Sequence, residues 1–281
     1  MPEKKKGLAA AVATVESLRG EQGCPWDKEQ THSSLRTFLL EETYELLEAL
    51  DALSSSSSAE NLKNFKEELG DLLLQILLHS EIARQSGHFG IEEVGQELSD
   101  KLVRRHPHVF GDKKLSSADE VVGAWEKTKK KEKPAKESVL DGVPAAMPAL
   151  QRSLKVIEKV SRVGFQWPDL EGPLGKVREE LGELERELEK AGGSKISRET
   201  ALPDSLKKKL EAELGDLLFT IANLAYFLRL NPEDALRTML QRFERRFRSV
   251  EMGAKAQGKE LEKMTLEEMD ELWNRAKSLE K

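Results

Sequence analysis

Aromatic residues are scarce in this chain, at 5% of 281 positions, and cysteine occurs once, as Cys24. One cysteine excludes an intrachain disulfide and suits a reducing compartment such as the cytoplasm. Beside Pro25 and Trp26 it reads as packing rather than as a nucleophile. Strand patterns are missing too. Period-2 alternation is nearly absent, and Val, Ile, Thr and Tyr do not cluster as strands require. The longest uncharged stretches, such as LLFTIANLAYFL (217–228), fall short of the ~17–25 residues that cross a bilayer, so no membrane partner is expected. The opening MPEKKKGLAAAVATVESL has lysines and then a run of mostly alanine that flows into a charged amphipathic helix. That continuation argues against a signal peptide. The net charge of −6 gives no general reason to expect nucleic acid, and an anionic ligand would need a local basic patch.

What remains is the vocabulary of helices. Charged residues make up 34% of the chain, with only 10 prolines, a balance that helices tolerate best. The expected fold is all-α.

The chain is written twice. ELGDLL stands at 68–73 and again at 213–218, and EETYE (41–45) answers to EELGE (179–183). Lys101 and Arg105 answer to Arg242 and Arg246, and WEKTK (125–129) to WNRAK (273–277). The offsets are 138, 145, 141 and 148, and ordered landmarks with drifting offsets indicate duplication followed by loop changes. Polar, turn-rich segments, SSSSS (54–58) and AGGSKISRETALPDS (191–205), separate the two acidic helices of each copy. A lysine run and three prolines interrupt the pattern within 129–148. Two helical domains are therefore expected, 1–133 and 144–281, joined by a linker at 134–143.

Acids three apart share a helix face. Glu180 and Glu183 form one such pair and Glu213 and Asp216 another. Glu42 with Glu45, and Glu68 with Asp71, repeat the arrangement in the first copy. Each ELGD opens an apolar run, and from Leu217 to Leu228 apolar side chains fall all around the helix, which predicts a buried helix. Unpaired carboxylates at its near end would be costly, so four converging acids suggest a metal. All five histidines precede residue 109, leaving the second copy without His or Cys. An oxygen-only donor set suits Mg²⁺, or Mn²⁺ in its place, rather than zinc or iron. The glycines inside the motifs, Gly70, Gly182 and Gly215, are consistent with close helix packing or ligand approach.

Mg²⁺ is usually held jointly with substrate phosphates, so basic residues should gather near the acids. Lys176 stands four before Glu180 and Lys209 four before Glu213. RFERRFR (242–248) supplies Arg242, Arg245, Arg246 and Arg248, with Phe243 and Phe247 expected in the core. Trp273 and Lys277 form a further i, i+4 pair. In the first copy Phe38 and Asn64 take the places of the two lysines, Leu78 that of Asn223, and Pro107 should end a helix that continues in the second. The second copy is therefore expected to be the stronger catalyst.

The two patterns E-E-x-x-E and E-x-x-D, with CPWDKEQTH, RRHPHVFGD, VGFQW and FERRFR, resemble the MazG family of nucleoside triphosphate pyrophosphohydrolases in its two-copy form. The resemblance implies an all-α, Mg²⁺-dependent enzyme that converts NTPs to NMP and pyrophosphate as a homodimer or higher oligomer. Carried over, Glu180, Glu183, Glu213 and Asp216 would hold the metal and serve catalysis. Lys176, Lys209, Arg242, Arg246, Trp273 and Lys277 would contact nucleotide together with Glu180 and Asp216. Glu42, Glu45, Glu68 and Asp71 would form a second metal site. Rival readings are a pyrophosphohydrolase restricted to dUTP or phosphoribosyl-ATP, and a regulator that binds Mg-nucleotide without turnover.

Overall fold

The structure, a computed structural model, describes residues 6–112, 114–132 and 137–279. Among them there are helices and turns but no strand. Contacts divide the chain into two compact units, Met1–Pro134 and Ala135–Lys281.

The first unit contains α1 (Leu8–Leu18), α2 (Pro25–Glu29), α3 (Leu35–Ser55), α4 (Ala59–Gln85), α5 (Ile91–Arg105), α6 (Pro107–Phe110) and α7 (Ala118–Glu132). The acidic helices α3 and α4 form its main pair, with α1 packed on α4. Val15, Leu35, Leu77, Leu78 and Ile82 make the core. The serine run ends α3 with Ser54 and Ser55 and makes the connection to α4 with Ser56 to Ser58. Ser58 caps α4 by accepting from Asn61 N, while Asn61 Nδ2 donates to Ala52 and Ser56 carbonyls at 3.0 and 2.8 Å. Proline 107 stops α5 at Arg105, because its ring denies the helix a donor.

The second unit contains α8 (Ala149–Ser161), α9 (Glu171–Lys190), α10 (Asp204–Phe227), α11 (Pro232–Ala256) and α12 (Leu266–Ser278). Helices α9 and α10 pair closely, α8 packs on α10, and α11 pairs with α12. Asn231 caps α11 through Glu233 N and Asp234 N, with Pro232 at the first helical position. That helix runs unbroken through RRFRSVE, where its counterpart is cut by Pro107. Val250, Ala254, Met264 and Leu272 form a core between α11 and α12. Gly253 permits their approach, since a Cβ there would lie 2.8 Å from the Leu272 side chain. Of the 134–143 stretch, residues 134–136 lie outside the described residues, and Asp141 offers its carbonyl to Lys159 of α8 at 2.6 Å.

Two expectations about burial fail. Helix α10 is not enclosed: Thr220, Ala222 and Asn223 are buried, but Leu214, Leu218 (45% exposed), Phe219 and Ile221 face outward. Its neighbours α8 and α9 cover only part of an all-apolar surface. Phe243 and Phe247 are likewise exposed rather than in the core. They stack on each other at 6.1 Å between centroids, and Phe243 also meets Trp273 at 5.0 Å.

Candidate active site

In the second unit the polar contacts order α9 and α10 as an antiparallel hairpin: Glu187 lies near Lys209, Glu180 and Glu183 near Glu213, and Gln166 near Asn223. Because the i, i+3 spacing sets Glu180 and Glu183 on one face of α9, both reach Glu213 across the pair. Their carboxylate oxygens come within 4.8 Å of one another, a group that could hold a metal ion. Asp216 lies outside this trio and is exposed. Glu180 is 5% exposed, and Lys176 answers its charge at 2.6 Å while also binding Glu179 at 2.9 Å. These two carboxylates raise the Lys176 pKa above its ordinary value, Glu180 most. Lys209 departs from expectation. Its ammonium lies 4.0 Å from Glu187, on the facing helix, rather than beside Glu213.

The first unit gathers a different three of its four acids. Glu42, Glu68 and Asp71 converge within 4.8 Å, and Glu45 stays outside the trio. Burial, then the neighbouring Asp71, Glu45 and Glu68, raises the Glu42 pKa; burial, then Glu45 and Asp71, raises that of Glu68. Glu68 Oε2 is buried with no hydrogen-bond partner. No lysine relieves the crowding at the position equivalent to Lys176. Phe38 stands there and packs edge-on against Trp26 at 5.8 Å.

A second motif recurs on the α5–α7 and α11–α12 pairs. Arg246 lies over the Trp273 ring at 5.7 Å, and Arg105 over Trp125 at 5.3 Å. Trp273 is partly buried against the α11–α12 core. Arg242 lies along α11 with a nitrogen 3.0 Å from Met239 Sδ, and Lys277 is exposed one turn beyond Trp273. The carboxylates stand on α9 and α10, and neither α11 nor α12 packs extensively on α9.

Three features went unread in the sequence. Glu132 clamps Arg104 at 2.6 Å and Arg105 at 2.6 Å, which holds its carboxyl down at about 2. It closes the lysine run 129–131, where one acid carries no visible signal. His32 and His79 meet through their Nδ1 atoms at 2.8 Å. Asn223 differed visibly from Leu78, but its partner Gln166 could not be read from spacing.

Comparison with known proteins bears directly on this duplicated geometry. A model of the MazG nucleotide pyrophosphohydrolase domain matches residues 30–110 and again residues 172–250. The chain belongs to the MazG family. A Thermotoga maritima protein named nucleoside triphosphate pyrophosphohydrolase/pyrophosphatase MazG is 43% identical over 95% of this chain and 94% of its own length. A nucleoside triphosphate pyrophosphohydrolase of Escherichia coli K12 is 39% identical over 92% of each chain. A Bacillus subtilis protein, YabN, is 44% identical over 95% of this chain and 51% of its own length. Each MazG match contains both acid pairs and the arginine of one copy, whereas Trp125, Trp273, Lys277 and Gln166 lie outside the matched residues.

Proposed function

We propose that the chain hydrolyses nucleoside triphosphates to nucleoside monophosphate and pyrophosphate, with the second copy as the main catalytic site. The observation that carries this reading is the meeting of Glu180, Glu183 and Glu213 within 4.8 Å beside Lys176. MazG membership and the names of its relatives support the reaction. The site residues fit a hard divalent cation, since every donor is a carboxylate oxygen. Glu180, Glu183 and Glu213 would hold Mg²⁺, or Mn²⁺ in its place, with Asp216 as the fourth acid. When bound, such a cation supplies positive charge at the triphosphate and makes a bound water more acidic.

The chain's own residues supply positioning and charge, which dominate phosphoryl transfer. Lys176 and Lys209 stand on the two acid-bearing helices, where a triphosphate meets positive charge. Arg242, Arg246 and Lys277 serve the same end from α11 and α12. Trp273 offers a ring face to the base, and stacking of that kind tolerates any base. Glu179, already paired with Lys176, orients that lysine rather than taking the proton. The first copy keeps its acids but replaces both lysines, and we assign it cation binding with little or no turnover.

The outward apolar residues of α10 and the aromatic stripe of α11 would be covered by a second copy of the chain, giving a homodimer or larger assembly. A single cysteine, and the lack of any membrane-length apolar helix among the described residues, suit the cytoplasm.

The test is pyrophosphate release from each NTP and dNTP with and without Mg²⁺, in wild type and Glu213→Gln. Metal-dependent release lost in the variant supports the reading. No release from any nucleotide by folded protein would end it.

A further inference from the structure

We propose that Gln166 and Asn223 are positioning residues that set the axial register of α9 against α10, an inference that rests on the metal-site reading above. Asn223 is 9% exposed and stands seven residues beyond Asp216, about 10 Å along the helix. Its Oδ1 accepts from Gln166 Nε2 at 2.9 Å. Gln166 belongs to the loop between α8 and α9, and the rest of its polar capacity is engaged there. Its Nε2 also reaches Ser161 Oγ at 3.2 Å, and its Oε1 accepts from Trp167 N at 2.9 Å. The Trp167 ring in turn lies on Gly172 in the first turn of α9, where any Cβ would overlap it. Loop, helix start and Asn223 therefore form one connected unit.

Helices α9 and α10 pair closely, but few of their side chains are fully buried. Of α9 only Pro173 and Glu180 are buried, and of α10 only Thr220, Ala222 and Asn223. A slip of one residue moves a side chain about 1.5 Å along the axis, whereas a functional site needs its groups held within about 0.5 Å. A directional hydrogen bond, buried on the α10 side, resists such a slip.

The first copy carries a comparable cross-link one residue further along its helix, with different side chains. His32 precedes α3, His79 stands on α4 eight residues beyond Asp71, and their Nδ1 atoms meet at 2.8 Å. That the link recurs while its chemistry changes points to the link itself as the common requirement.

The test uses the full chain and compares wild type with Asn223→Leu, Gln166→Leu and the double variant. Leucine is what the first copy carries at the position of Asn223, so the substitution suits a buried site. Peptide-resolved hydrogen–deuterium exchange under Mn²⁺ titration gives the metal concentration for half-maximal protection of α9, separately from the first copy. Far-UV circular dichroism and melting confirm that each variant is folded. The half-point should rise about tenfold in either single variant, the lower end for residues that orient metal ligands. The double variant should be no worse than the worse single. In turnover at saturating metal, KM for nucleotide should stay near wild type. Half-points within about twofold of wild type, or effects that simply add, would overturn the positioning role while leaving the metal site intact. Absence of any Mn²⁺ effect on wild-type α9 would overturn the metal reading and this inference with it.

Discussion

The Lys176 ammonium lies 2.6 Å from the Glu180 carboxylate, one helical turn away on α9. Glu180 is buried and belongs to the converging acid trio, so this lysine offsets the charge that the trio would otherwise present alone. Lys176→Met should lower the melting temperature without metal by about 2–4 °C, since a partly exposed pair contributes on the order of 1 kcal/mol. Added Mg²⁺ should restore most of that loss, because a bound cation replaces the missing charge. Melting curves with and without Mg²⁺ decide it, and a loss that Mg²⁺ leaves untouched contradicts the account.

In the first copy the sign is reversed. Glu68 is pushed up by burial and then by Glu45 and Asp71. A raised folded-state pKa means that its favourable contribution is complete below about 4.5 and is lost as pH rises through the folded value. At neutral pH the ionised group therefore opposes folding. Glu68→Gln should melt higher than wild type in the absence of metal, and Mg²⁺ should stabilise it less. An unchanged or lower melting temperature in metal-free buffer would contradict this.

His79 supplies a pH dependence of its own. Burial first, and His32 second, hold its pKa below the ordinary 6.5. The unfolded chain then binds more protons between the folded value and 6.5, so stability falls on acidification through that window and levels off below it. Urea midpoints should be flat above pH 7 and decline below 6.5. His79→Leu, which installs the residue found at Leu224, should flatten that decline. A slope unaffected by the substitution would assign it to other groups.

Trp273 has two tasks that substitution can separate. Trp273→Phe keeps most of the packing against Leu272 and Phe243, whereas Trp273→Ala loses both packing and stacking. Stacking on a base is worth about 1–3 kcal/mol, so KM for nucleotide should rise about tenfold or more in Trp273→Ala and only a few-fold in Trp273→Phe. Steady-state kinetics on both, with melting as the control for folding, would show it. Equal KM values in all three proteins would reduce Trp273 to a core residue.

The outward face of α10 gives a test of assembly. Leu218 and Ile221 are both more than 40% exposed within the single chain. If a second copy covers them, Leu218→Glu should shift the sedimentation coefficient toward that of a monomer and reduce pyrophosphate release. A monomeric wild type would remove the basis for the prediction.

The helices, the duplication and the acid pairs were all legible in the linear chain, and so was the stop at Pro107. Each follows from local geometry: a helix repeats every 3.6 residues whatever it packs against, so Glu180 and Glu183 share a face before any partner is known. MazG membership was legible for the same reason, since its motifs are short spacings on single helices. Only the tertiary structure decided that Asp216 and Glu45 stand outside their trios, that Lys209 answers Glu187, and that Gln166 meets Asn223. It also left Leu218 and Phe243 facing outward. Periodicity shows which face of a helix is apolar, but the chain's own packing determines how much of that face is covered. Contacts between residues 22 or 57 positions apart are chosen by how helices dock, and no local pattern encodes that choice.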